Sequence, residues 1–308
     1  MLNIQTVTHN GLRWVNVVKP TEEEMNYLRS NFRFHPLDLK DCLSPAQRPN
    51  LDKYPEYLFM ILLFPVFDRK RREIKPAEVN LFVGKDYIVT VHQNTLPPLV
   101  DLFELCGVND EAKDKYFQTA ERLLYSLLNS LLMYCYPMLD HVSMDISNID
   151  SGIFSGKEKK MVKEILMINR NITDFRRIMQ THKHVYKKLI DERNETHFRL
   201  NSMRAYFQEL VEDAKDIWDT LQGYKESIET LRETNESLIS FRINDIVKTL
   251  TLISVLALPV TVTASVFGMN ARNMPFIGQP NDFVILLAIC ATAAISMFWY
   301  FKRKGMLQ

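Results

Sequence analysis

Two stretches near the C-terminus carry no charge: Thr249–Asn270 and Phe283–Phe301. Each is about 20 residues, roughly what a helix needs to cross ~30 Å of hydrocarbon. Ala271–Asp282 between them holds Pro275, Gly278 and Pro280, residues that end helices and turn chains. The pattern predicts a two-span hairpin whose first span closes on Gly268-Met269-Asn270. As a bare tripeptide, Gly-Met-Asn also suits a helix end, because Gly and Asn tolerate left-handed geometry.

Upstream, Leu210, Ala214, Ile217, Leu221, Tyr224, Ile228, Leu231, Asn235 and Leu238 alternate steps of four and three. That is a heptad seam, so this helix is expected to pack against copies of itself, with the polar Asn235 fixing register. A helix in the core of one chain gives the same spacing. No stop signal separates residue 205 from the first span, so one helix of about 65 residues, ~100 Å at 1.5 Å per residue, is expected to run into the membrane.

The spacing continues inside the span with different chemistry. Val247, Thr251, Ser254, Leu258, Thr261, Ser265 and Gly268 fall on one face, and Asn244 precedes them. Polar side chains in a span face protein or water rather than lipid. If several copies converge, this stripe faces their common axis. Alternatively the hydroxyls bond backbone carbonyls or join helices.

Residues 1–110 read as a mixed α/β domain. Leu12–Val18 is a strand. Thr21 and Glu24 form a capping box that opens a helix. Tyr57–Phe67 is a buried strand. Glu78–Val83 and Tyr87–Val91 flank Gly84-Lys85-Asp86 as a hairpin. The charged run Asp68–Glu73 connects strands and is expected to be a solvated turn. Residues 114–150 carry an apolar helical face including Leu123, Leu127 and Leu131, broken at Gly152 and Gly156, and 157–192 form a second long helix packed back against it. The expected organisation is an α/β domain (1–110), a long-helix hairpin (111–200), a stalk helix continuing into the first span (201–270), an external loop (271–282), the second span (283–301) and a basic tail (302–308).

Across 308 residues the net charge is +1, which argues against a general nucleic-acid binder. Mean hydropathy is slightly negative, as for a large soluble part carrying a small membrane part. The four cysteines are far apart in sequence, which suggests reduced, structural thiols. No Walker-type glycine loop is present, so no nucleotide site is expected. His182 and His184 do not share a helix face, and no nucleophile–base spacing suggests an enzyme. Lys302-Arg303-Lys304 follow the second span, Arg242 and Lys248 precede or begin the first, and Arg272 is the one cation of the linker. The positive-inside rule puts both termini in the cytoplasm and Gly-Met-Asn outside, in a multi-pass protein of the cell membrane.

Val266-Phe267-Gly268-Met269-Asn270 at the end of the first of two C-terminal spans, His35–Leu43 followed by Gln47-Arg48-Pro49, and Asn244 through Lys248–Thr251 to Leu258-Pro259 together resemble the CorA family of magnesium transporters. The resemblance spans essentially the whole chain. It implies a homopentameric funnel with first spans inside and second spans outside, and Mg2+, with Co2+ or Ni2+, as transported ion. It implies a selectivity ring at Asn270, shaped by Gly268 and Met269. It further implies Asn244 at the cytosolic pore end, constrictions at Leu250 and Leu258 with Val247 beside them, and hydroxyl steps at Thr261 and Ser265. It implies closure by cytosolic Mg2+ held between protomers, with Glu209 and Asp68 as candidate ligands. A zinc-transporting branch of the superfamily keeps this scaffold, although Met269 and the lack of His or Cys on the stripe weigh against zinc. A membrane-anchored coiled-coil scaffold is the other alternative; it leaves the hydroxyl stripe without a use.

Overall fold

The structure is a computed structural model that describes residues 2–44, 48–191, 201–269 and 281–304. The chain falls into two units, Met1–Asn235 and Glu236–Gln308.

The first unit is built on a six-stranded sheet. Its strands are β1 (Ile4–His9), β2 (Leu12–Val18), β3 (Asn50–Lys53), β4 (Leu58–Asp68), β5 (Glu73–Val83) and β6 (Tyr87–His92), in the order β1-β2-β6-β5-β4-β3. All pairs are antiparallel except β2 with β6. Both faces are covered, which is why the middle of β4 reads as an unbroken apolar run rather than an alternation. On one face Val15, Val17, Phe59, Phe82 and Val89 pack under α1 (Glu22–Phe32) and α2 (Pro36–Asp41). The capping box of α1 is present: Thr21 accepts a backbone N–H and Glu24 returns to the Thr21 backbone. On the other face Trp14, Met60, Leu62, Phe64 and Ile88 meet the helical layer.

That layer contains α3 (Pro97–Val108), α4 (Asp110–Tyr116), α5 (Ala120–Met133), α6 (Cys135–Phe154), α7 (Glu158–Met179), α8 (His182–Ile190) and, after a 3-10 turn, α9 (Arg204–Phe267). Each of the two long helices expected from sequence is divided. The first breaks at Tyr134, because Pro137 sits in the first turn of α6 and cannot donate a helical N–H back into α5. The second breaks at Gln180–Thr181. Gly152 does not end α6; it lies inside the helix, where an added Cβ would sit 2.4 Å from the Met161 sulfur. The helix ends at Phe154, and Gly156, with φ +85°, turns the chain just past its cap.

The heptad seam is also corrected. Leu210, Ala214, Ile217 and Leu221 are at most 1% exposed and join the same core as Leu124, Leu127 and Leu131 of α5. Ile228 and Asn235 are likewise buried. This face packs within its own chain, so it is not available to copies of itself. A four-three pattern records that a helix face is covered and is silent on which chain covers it.

The second unit holds the remainder of α9 and α10 (Asp282–Arg303). Both helices have the length and composition of membrane spans.

A candidate ion path along the first span

Helix α9 has one covered face within the second unit. Leu252 is buried, and Val255, Leu256, Pro259, Thr263 and Phe267 are half-buried. Helix α10 has a matching face at Ile285, Leu286, Cys290, Ala293, Ala294, Met297 and Phe301. The stripe of Val247, Thr251, Ser254, Leu258, Thr261, Ser265 and Gly268 is exposed throughout. At 3.6 residues per turn its centre lies about 150° round the helix from the centre of the covered face. Asn244 and Leu250 are exposed as well. The side chains that glue α9 to its surroundings are therefore not the hydroxyl-bearing ones, with Thr263 the exception.

The hydroxyls themselves are oriented. Thr251 donates to the Val247 carbonyl (2.8 Å), Ser254 to Leu250 (2.9 Å) and Thr261 to Ala257 (2.7 Å). Each proton points back into its own helix, so each oxygen turns its lone pairs outward. Pro259 sits inside α9 without an N–H to donate, and its own carbonyl accepts the Thr263 hydroxyl at 2.7 Å.

At the end of the span the Gly268 N–H reaches the Ala264 carbonyl (2.9 Å) and the Met269 N–H that of Val266 (3.3 Å). A Cβ on Gly268 would sit 2.8 Å from the Ala264 oxygen, closer than side-chain carbons approach backbone, so this position needs glycine. Met269 is exposed. Asn270, named from sequence as the selectivity residue, lies outside the described residues, as does Gln47. At the far end of α10, Arg303 lies over Trp299 (5.3 Å) and Lys304 over Tyr300 (5.3 Å), a cation and aromatic belt suited to a headgroup layer.

The two residues named for ion sensing have different partners in the body. Asp68 ends β4 and closes the β4–β5 turn: it accepts the N–H groups of Lys70 (3.0 Å) and Arg71 (3.2 Å) and the Lys75 ammonium (2.9 Å). The Lys75 ammonium, followed by the Arg71 N–H, holds its carboxyl below the ordinary range. Glu209 accepts the Tyr125 hydroxyl at 3.4 Å. It belongs to an acidic crowd in which burial, then Glu209 and Asp216, push the Asp213 carboxyl up. Among the described residues no three His, Cys, Asp or Glu side chains come together as a metal site. Sequence reasoning missed Lys75, which neutralises Asp68 and Glu73 together (2.9 Å to each). It also missed Asn171, whose amide holds the turn to α7 by accepting from Ile74 N–H (3.3 Å) and donating to the Arg72 carbonyl (3.0 Å). Lys75 lay within a strand-period pattern and could have been paired with Asp68 across the hairpin; a lone Asn on a charged helix gave no signal.

A family model described as CorA-like Mg2+ transporter protein matches residues 9–303. The chain belongs to that family. A similar CorA relative, the cobalt/magnesium transport protein CorA of Thermotoga maritima, is 25% identical over 276 residues, 90% of this chain and 78% of that one. The complete structure of the CorA magnesium transporter from Methanocaldococcus jannaschii matches with a TM-score of 0.82 at 19% identity, covering 98% of this chain and 94% of that one. The ZntB cytoplasmic domain from Vibrio parahaemolyticus matches with a TM-score of 0.66 at 10% identity, over 78% of this chain and 99% of that one. At these identities the two structural likenesses are likenesses of fold.

Proposed function

We propose that this CorA-family chain is a passive Mg2+ transporter, with Co2+ or Ni2+ as further cargo, and that the stripe of α9 is the wall of its path. The observation that carries this reading is the exposure of Thr251, Ser254, Thr261 and Ser265 on the side of the span away from its covered face. A span that served only as an anchor would turn such groups toward protein, since hydroxyls and amides in hydrocarbon are costly. Exposed in one chain, they await neighbours, and five copies around a common axis would enclose them.

Mg2+ is small, hard and slow to shed water. Its bound waters point hydrogens outward and need acceptors. Hydroxyl oxygens with their protons turned back into the helix supply acceptors, and an amide ring at Asn270 would do the same at the outer end, with Gly268 and Met269 placing it. Neutral acceptors hold the ion weakly enough to release it. Leu250 and Leu258, with Val247 beside them, would form constrictions that close by dewetting, and Asn244 would receive the ion at the cytosolic end. With both termini cytoplasmic, the drive is electrical, about 2.3 kcal/mol per charge per 100 mV and twice that for a divalent ion. For regulation by cytosolic Mg2+, Asp68 and Glu209 remain the residues to test. Within one chain they do not form a metal site, and no step is derived from an ion held there.

The test is Mg2+ flux into proteoliposomes. Flux that is blocked by cobalt hexammine, which mimics the hydrated ion, and lost in Asn270→Ala supports the reading. Absence of any divalent flux from folded wild-type protein overturns it. Wild-type inhibition by internal Mg2+ in an Asp68→Ala/Glu209→Ala protein removes these two residues as sensors.

A further inference from the structure

We propose that the turn between α6 and α7 docks on anionic phospholipid headgroups of the bilayer that the chain spans. The turn is rigid. It is a Schellman closure in which the Gly156 N–H reaches the Ile153 carbonyl (3.3 Å) and the Lys157 N–H the Gly152 carbonyl (3.0 Å), with Gly156 left-handed. In this motif the residue after the glycine commonly makes an apolar contact back on the helix; here that residue is lysine. The closure presents Phe154 with 70% of its surface exposed, next to Lys157, Lys159, Lys160 and Lys163, all exposed. Among the described residues none of these four ammonium groups is in an ion pair. The one acid in the run, Glu158, is buried.

The charges are also placed against local electrostatics. Three of the lysines flank or occupy the first turn of α7, where the helix dipole already favours anions. An external negative surface relieves both. A ring between cations is the composition of a membrane-surface contact: the lysines reach phosphates and the aromatic enters the headgroup–acyl boundary.

The position within the first unit fits. Helix α7 runs antiparallel to α9, fastened where Arg176 stacks on Trp218 and, nearer the turn, where Lys225 donates to the Asn169 amide oxygen. The turn therefore lies toward the end of this unit at which α9 leaves it. A neighbouring protomer or a soluble partner would have to offer an acidic surface in the same place. The lipid leaflet is the favoured occupant because a ring between cations matches its anionic surface and apolar interior, and the chain carries two helices with the length and composition of membrane spans.

The proposal rests on the spans lying in a bilayer with the body at the anionic leaflet, and not on transport. The experiment uses the full chain in nanodiscs, with Phe154→Cys carrying a nitroxide in a Cys290→Ala background; the other cysteines are buried. In discs containing phosphatidylglycerol the label should become accessible to oxygen and shielded from an aqueous nickel chelate. In pure phosphatidylcholine it should stay in water. High salt should reverse the shift, and each Lys→Gln change among the four should weaken attachment about fivefold. A label equally water-exposed in both lipids overturns the proposal, as does one shielded in both, which would place protein on the turn. Mg2+ flux measured on the same discs' protein in liposomes reports the transport reading separately.

Discussion

The guanidinium of Arg176 lies 5.2 Å from the centre of the Trp218 ring, joining α7 to α9. The Arg176 Nε is buried without a hydrogen-bond partner, and the ring face is the contact shown for the guanidinium. Trp218→Leu should lower stability by about 2 kcal/mol, combining lost packing with the lost cation–ring contact. Chemical unfolding of the purified protein in detergent measures it, and an unchanged midpoint would show the stacking to be ornamental.

Thr261 and Thr263 make the same local bond, each to the carbonyl four residues back at 2.7 Å, yet one faces out and the other lies on the covered face. Thr261→Val should cut Mg2+ flux about tenfold, the loss of one good acceptor for the ion's water, and leave thermal stability alone. Thr263→Val should do the reverse, sparing flux. Equal effects on flux would deny the stripe its role.

Gly268→Ala would force a methyl toward the Ala264 oxygen. The backbone that leads into Asn270 must then shift, at a cost of ~1–3 kcal/mol. The expected result is a fall in flux with cobalt hexammine binding weakened in parallel, read by competition in liposomes.

His182 is wholly buried between the rings of Phe64 (4.9 Å) and Tyr186 (5.8 Å), and burial lowers its pKa to about 4. His92, buried with Nδ1 accepting the Asn94 N–H, is lowered to about 4 for the same reason. Below the unfolded value of about 6.5 the unfolded chain takes up protons that the folded chain refuses. Stability is then complete above about pH 6.5 and falls as pH drops toward about 4, by up to ~1.4 kcal/mol per pH unit for each histidine. Urea midpoints at neutral and mildly acid pH should show this slope, and His182→Phe should flatten part of it. An identical slope in the variant would place the acid sensitivity elsewhere.

Much of this was legible in residues. Thr21 and Glu24 announced their helix, Gly84-Lys85-Asp86 their hairpin, and the two uncharged runs their spans, because each signal is local: a cap, a turn, a length. Gly-Met-Asn at the end of the first run, with the motifs around it, pointed to the family. What failed needed a partner to be known. The spacing of Leu210, Ala214, Ile217 and Leu221 suits a neighbouring chain, but the core of their own chain takes them in. Pro137 marks the break between α5 and α6, while Gly152 lies inside α6 against the Met161 side chain. Asp68 was legible as an acid but not as one already answered by Lys75.

The hydroxyls of Thr251, Ser254 and Thr261 keep their hydrogens on their own backbone. On the proposed path such a lining would meet the outer skin of a solvated cation, nearly the same object for every small dication. On that proposal, choice among metals would not be made along these turns. Altering them should change throughput and leave the ranking of magnesium, cobalt and nickel as it was, which moves the burden of discrimination to whatever stands at the mouth.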